Sequence, residues 1–342
     1  MNWLPNKGSH NQNIRRKNYI DRLILNSTFQ VTKLMICLVG AGMFLSGDAN
    51  HLKLKSLARD SPEKLFNQIN YLATDISVKI LGQDFLGSGF IIQHTEQKYT
   101  VITNQHVLRA GEAPYLIETA DGKNYLAEVV SEITEGDYNY DLAILEFNAE
   151  EIYATAKIGT SLNLEVGQPV FAVGFPYNQA GISRTPAIFK QSDHQSHELT
   201  IKHGRIAIIL NQGLEEGYQI GYTNDVKKGM SGGALLNSQG EVVGINGKHA
   251  YPLWESPEIY QDGSEPCPAL QELITRSSLA IPIEKTIELN PKLKSQSPKS
   301  NSQPLSESEF IGSNPELVAQ MQAEAEETKQ KCQNHSTAVS DQ

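Results

Sequence analysis

Three residues of this chain are of the types that acyl transfer needs. Ser231 stands in "GMSGGALL", His106 in "YTVITNQHVL" and Asp141 in "DYNYDLAILEF". A serine hydroxyl attacks a carbonyl only when a base takes its proton, and an imidazole serves as that base when a third group holds it in one tautomer. The surroundings of Ser231 add a second clue. Three of the five residues Gly229–Gly233 are glycine, and glycine loses more backbone freedom on folding than any other residue. A tight hairpin that needs positive φ is one explanation. A turn whose amides converge on a developing negative charge is the other. Alone, the stretch fits both.

Position singles out the other two residues. His106 follows directly on an apolar strand, a titratable group at a strand end, where β-scaffolds commonly place functional side chains. By itself it also reads as a satisfied core histidine. Asp141 abuts "LAILEF", a run so apolar that it must be buried. A carboxylate at such a strand mouth is partly desolvated and needs a hydrogen-bonding partner; taken alone, it reads as an ordinary strand-start cap. Asp137 lies close by but does not abut the strand. The other histidines offer less: His10 and His335 lie in polar tails, and His194, His197 and His203 crowd a polar loop and strand.

The elements that must hold these residues are short alternating strands. "TDISVKIL", "GSGFIIQ", "KYTVIT", "YLAEVVSE" and "DLAILEF" form a first run, ending near Phe147. "PVFAVGF", "LTIKHGRIAIIL", "GALLN", "GEVVGIN" and "SLAIPI" form a second. Such spacing implies all-β barrels or sandwiches, and "NAEEIYATAKIGTSLNLEVGQ" reads as the connector between two halves. A helix is expected over residues 61–72, with Asp60 or Ser61 as cap, Pro62 in the first turn, and Leu65, Phe66 and Ile69 at helical spacing. The expected partition is 60–150 for the first half with its helix and 151–290 for the second. Residues 291–342, rich in Ser, Gln, Glu, Pro and Asn, are expected to form a disordered polar tail, within which "NPELVAQMQAEAEETKQK" has the pattern of a short helix.

Residues 1–49 read as an address rather than a fold. A basic polar stretch precedes the apolar run "LMICLVGAGMFL" (Leu34–Leu45), which is short for a bilayer span and fits a signal-peptide core. Cleavage is expected after Ala49, the alternative being an uncleaved membrane anchor, so the protein is expected to be exported, either periplasmic or extracellular. Composition narrows the function class further. The 342 residues are 39% apolar and carry a net charge of −10, which argues against a nucleic-acid partner, since such partners need basic surfaces. There is no Cys-x-x-Cys, Cys/His cluster or phosphate-cradling glycine loop, so neither metal nor cofactor is expected. Of the three cysteines, Cys37 would leave with the signal, and Cys267 and Cys332 either pair or stay free.

Taken together, the motifs resemble those of the trypsin-like serine endopeptidases, in particular the bacterial HtrA-like branch. "GSGFII" resembles the family's opening strand, "TNQHV" its histidine turn, "YDLAIL" its aspartate strand, "GMSGGALL" its nucleophile turn, and "GEVVGIN" and "SLAIP" its last two strands. The likeness runs over about residues 74–290, and six motifs in order make it specific. It implies an all-β chymotrypsin-like fold: two six-stranded antiparallel β-barrels with the active site between them, plus a short N-terminal helix and a C-terminal helix. It also implies a secreted hydrolase acting on proteins or peptides. In it Ser231 is the nucleophile, His106 the base and Asp141 its orienting partner, with the amides of Gly229 and Ser231 as the oxyanion hole. Asp225, six residues before the nucleophile, and Asn246 are the substrate-binding residues it points to; Asp225 reads equally as a surface loop carboxylate, neutralised by Lys227 or Lys228 close by in sequence. Met230 stands where animal trypsins carry the aspartate that pairs with a new N-terminus, and residues 291–342 are too few and too polar to build a PDZ domain. The competing function is a binding module of the same fold without activity. An esterase of α/β-hydrolase type is disfavoured because "GALL" continues as strand rather than helix.

Overall fold

The computed structural model describes residues 62–132, 140–177, 198–252, 257–291, 293 and 314–340. The signal or anchor expected over 1–49 lies outside these residues, as do Asp137, His194 and His197. Helix α1 (Pro62–Ile76) starts on a proline, which has no amide to leave unsatisfied, and runs four residues past the expected end. Its buried face is Ile69, Ala73 and Ile76, spaced at one helical turn.

Twelve strands then form two closed antiparallel barrels of six strands each, as the resemblance implied. The first barrel uses β1 (Ser77–Leu81), β2 (Phe85–Thr95), β3 (Lys98–Thr103), β4 (Tyr115–Glu118), β5 (Asn124–Glu132) and β6 (Ala143–Asn148), in the spatial order β1-β2-β3-β6-β5-β4. The second uses β7 (Pro169–Gly174), β8 (Thr200–Ile209), β9 (Ile220–Tyr222), β10 (Ala234–Leu236), β11 (Val242–Lys248) and β12 (Ser278–Pro282), in the order β10-β11-β12-β9-β8-β7. Pairing β1 with β4 and β10 with β7 closes the two barrels and removes their free edges.

The near-continuous apolar runs have a simple cause: alternate residues serve two different cores. In β2, Phe90 and Ile92 pack into the seam between the barrels, whereas Ile91 points into the first barrel. Ile102 of β3 and Ile144 of β6 join the seam, and Val101 and Leu145 join the interior. From the other side, Phe171 and Val173 of β7 and Ala234 and Leu236 of β10 enter the seam, while Val170, Ala172 and Leu235 fill the second barrel. Helix α1 closes one end of the seam through Ile69, Ala73 and Ile76. Full burial of each large side chain contributes about 1.5–3 kcal/mol, so the seam holds the barrels against one another with a core of its own.

Four further helices follow among the described residues: α2 (Gln105–Arg109), α3 (Pro268–Thr275), α4 (Ile283–Leu289) and α5 (Pro315–Ser340). The last corrects the expectation of a disordered tail. Helix α5 packs against α3 and β8, pairs Glu324 with Arg276, and is joined to the body by a Cys267–Cys332 disulfide. Composition under-read this segment because a covalent tie and two buried residues, Ala325 and Thr328, take the place of a broad apolar face.

Candidate active site

His106 sits in the first turn of α2, which begins two residues after β3 ends. Strand β3 is pinned there: Thr103 donates from its hydroxyl to the Ser88 carbonyl (2.7 Å), and Asn104 donates from Nδ2 to the Asp141 carbonyl (2.7 Å). Asp141 lies just before β6, the strand paired with β3, so the ladder brings the two ends together. Its carboxylate is 1% exposed and accepts three hydrogen bonds. The His106 amide donates to Oδ1 (2.7 Å), while His106 Nδ1 and the Tyr218 hydroxyl both donate to Oδ2 (2.5 Å each). Burial pushes the Asp141 carboxyl towards its neutral form. The hydrogen bonds and charge of His106, with the Tyr218 hydroxyl, outweigh it and hold the group below its ordinary value. An ionised carboxylate only accepts, so Nδ1 carries the proton and a neutral His106 has its lone pair on Nε2. The ring's 40% exposure leaves that nitrogen accessible.

Ser231 comes from the second barrel, in the turn between β9 and β10. Residues 227–230 form a β-turn closed by Met230 N–H to Lys227 O (3.0 Å), with Gly229 at φ +94°. Positive φ at the third position is the type II signature, and a Cβ there would also lie 2.6 Å from the Phe175 carbonyl. The Lys228 carbonyl accepts from Tyr177 N–H (2.7 Å) and the Met230 carbonyl from Gly233 N–H (3.1 Å). In a trans peptide the N–H points opposite to the carbonyl. The amides of Gly229 and Ser231 therefore face away from those contacts, and among the described residues neither has an acceptor. The Ser231 hydroxyl donates to the Gly247 carbonyl at 3.0 Å, not to His106.

The two halves meet through close backbone approach. A Cβ on Gly232, at φ +83°, would fall 2.2 Å from both Ser88 O and Thr103 Oγ1. Ser88, fully buried between two glycines, joins the halves: its amide donates to Ser231 O (2.9 Å) and its hydroxyl to Gly229 O (2.7 Å), and the hydroxyl also accepts from Phe175 N–H (2.8 Å). Sequence reasoning treated "GSGFII" only as a strand. The signal available was a serine flanked by glycines where an apolar residue would otherwise stand.

Two expected substrate-binding residues are placed elsewhere. Asp225 has a 63% exposed side chain paired with Lys227 at 2.7 Å, so it floors no buried pocket; the residue before it, Asn224, is the buried one, bonded to the carbonyls of Val170 and Lys202. Asn246 is fully buried and occupied, its Nδ2 donating to Val173 O and Ala234 O and its Oδ1 accepting from the Tyr222 hydroxyl (3.0 Å each). It braces the second barrel and has no group left for a ligand.

Residues 87–245 match the family model described as a trypsin-like peptidase domain. The chain is similar to the serine protease Do-like HtrA of Lactobacillus helveticus (31% identity over 167 residues, covering 47% of this chain and 35% of that one). It is also similar to a probable periplasmic serine endoprotease, DegP-like, of Halomonas elongata (34% over 164 residues, 47% and 29%). A third relative is the serine endoprotease DegS of Salmonella typhimurium (33% over 161 residues, 47% and 39%). The chain spans 29–39% of the length of these relatives.

Proposed function

We propose, from the premise that this chain carries a trypsin-like peptidase domain of the HtrA branch, that it is an exported serine endopeptidase acting on proteins or peptides through an acyl-enzyme. The observation that carries this reading is the buried Asp141 carboxylate bonded to Nδ1 of an otherwise accessible His106. That contact leaves Nε2 as the basic atom. In the working state the Ser231 hydroxyl leaves the Gly247 carbonyl for His106 Nε2, breaking a hydrogen bond of about 1 kcal/mol as it forms another. His106 takes the hydroxyl proton as Oγ attacks the scissile carbonyl, and Asp141 stabilises the imidazolium. The carbonyl oxygen becomes an oxyanion received by the amides of Gly229 and Ser231, which have no other acceptor among the described residues. His106 then protonates the leaving amine, and water repeats the sequence on the acyl-enzyme.

One observation favours the second reading, an inactive binding module: Ser231 Oγ rests on Gly247 rather than on His106. Labelling with a fluorophosphonate, which requires an activated serine, separates the two. Protein recovered from the secreted fraction of a bacterial host is expected to label at Ser231, with Asn50 at or near its N-terminus. Ser231→Ala is expected not to label. Folded wild-type protein that stays unlabelled at pH 8 would sink the enzyme reading; labelled protein retaining residues 1–49 in the cytosol would sink export alone.

A further inference from the structure

Tyr218 lies in the segment that leads into β9 and is wholly buried. Its hydroxyl donates to Oδ2 of Asp141, the same oxygen that receives His106 Nδ1–H. Burial, reinforced by the charge of Asp141, pushes the phenol's own titration well above its ordinary range, so it remains a donor. The space for it comes from Gly247. A Cβ there would fall 2.2 Å from the Tyr218 hydroxyl oxygen and 2.3 Å from Cε1. Gly247 also sits at an irregularity in the β11–β12 register, where Asn246 pairs with Ala280 and Lys248 with Leu279. Such a bulge re-aims the backbone, and the Gly247 carbonyl is the group that holds the Ser231 hydroxyl.

We propose that Tyr218 is a positioning residue of this site: its buried hydroxyl locks the Asp141 carboxylate against His106, and position 247 is glycine so that the phenol can reach it. The inference rests on the hydrolytic reading of His106, Asp141 and Ser231. Tyr218 divides the electron density of Oδ2 between two donors. Without it, the carboxylate is freer to rotate and bonds His106 more strongly, so the imidazolium is favoured. The other charged groups facing this cluster are Arg109, Glu216, Lys248 and Glu258. Arg109 lies 3.9 Å from Asp141 Oδ1 and 3.5 Å from Glu216. Lys248 lies 4.9 Å from the Tyr218 ring centroid, is paired with Glu258 at 2.9 Å, and stands 3.8 Å from Glu216.

The test is Tyr218→Phe in the full chain, which keeps the ring and removes one oxygen. A hydrogen bond to a charged group typically supports about a tenfold effect or more, so kcat is expected to fall roughly tenfold with KM little changed. The rising limb of kcat/KM against pH is expected to move to higher pH, and the His106 Nδ1 proton resonance to move further downfield. Unchanged limb and resonance in a folded variant would overturn the proposal, because a purely packing role moves neither. Should wild-type protein hydrolyse nothing, the hydrolytic reading fails, while the resonance still decides whether Tyr218 tunes the pair. Should Tyr218→Phe fold poorly, Gly247→Ala, which displaces the phenol without deleting it, is expected to shift the resonance in the same direction; no shift there is equally fatal.

Discussion

In the first barrel the candidate site is held by donating side chains: His106 to the Asp141 carboxylate, Asn104 to the Asp141 carbonyl, Thr103 to the Ser88 carbonyl. In the second barrel it is made of carbonyls and amides that glycine leaves accessible: the turn at Gly229, the approach at Gly232, the carbonyl of Gly247. One half depends on which atoms are present, the other on which are missing. The halves should therefore fail differently when altered, the first in its chemistry and the second in its assembly.

The largest effect is expected from Asp141→Asn. Its one carbonyl oxygen cannot serve the three donors that now share two carboxylate oxygens, and its amide nitrogen would face His106 Nδ1 and favour the wrong tautomer. A kcat loss on the order of 10⁴-fold, the scale of this change in other triad enzymes, is expected with the fold retained. Acid unfolding reports the same group. The folded carboxyl titrates below its ordinary value, so the stability it contributes is complete above the usual carboxylate range and is lost as pH falls through the lower folded value. Asp141→Asn should flatten that part of the stability curve. A variant that kept wild-type turnover would break the comparison at its first half.

Gly232→Ala comes next and should act on assembly. The added methyl would meet Ser88 O and Thr103 Oγ1 at 2.2 Å with φ at +83°. Overpacking of this kind typically costs about 1–3 kcal/mol and a non-glycine residue at positive φ about 1–2 more. A lower melting temperature, accompanied by loss of fluorophosphonate labelling, is the expected result. Full stability with full labelling would show that the two halves do not depend on this contact. The smallest effect is expected from Asp225→Ser, because that carboxylate is exposed and paired with Lys227. A peptide-library digest should give the same cleavage pattern as wild type; selective loss of cleavage after Arg or Lys would return Asp225 to the substrate pocket.

The same division explains how far the sequence could be read. His106 and Asp141 stood out because a polar residue beside an apolar strand is conspicuous, and strands β3, β6, β7 and β8 were legible because their own runs are apolar. Strands β4 and β9, four and three residues long, went unread, as did α2, a single turn around His106; β10, equally short, was legible because it continues the nucleophile motif. In the second half Ser231 stood out only through an excess of glycine, since what a missing Cβ would have touched depends on residues distant in sequence, such as Ser88 for Gly232. Asn246 was misplaced because likeness of motif does not say which way a side chain points, whereas Asp225 is the surface loop carboxylate that was its alternative reading. Tyr218 was missed because an aromatic residue near a strand reads as core, and only Gly247 opposite it betrays the polar end.

The Cys267–Cys332 bond closes a separation of 65 residues, and in the chain-entropy picture a loop of that length is worth about 4 kcal/mol to the folded state. Its deeper consequence concerns history rather than energy. Two thiols remain thiols wherever glutathione and thioredoxin keep them reduced, and couple where they do not. Whether α5 is fastened is thus written by the compartment in which the chain matured, and the molecule carries that inscription afterwards as a covalent memory of its surroundings.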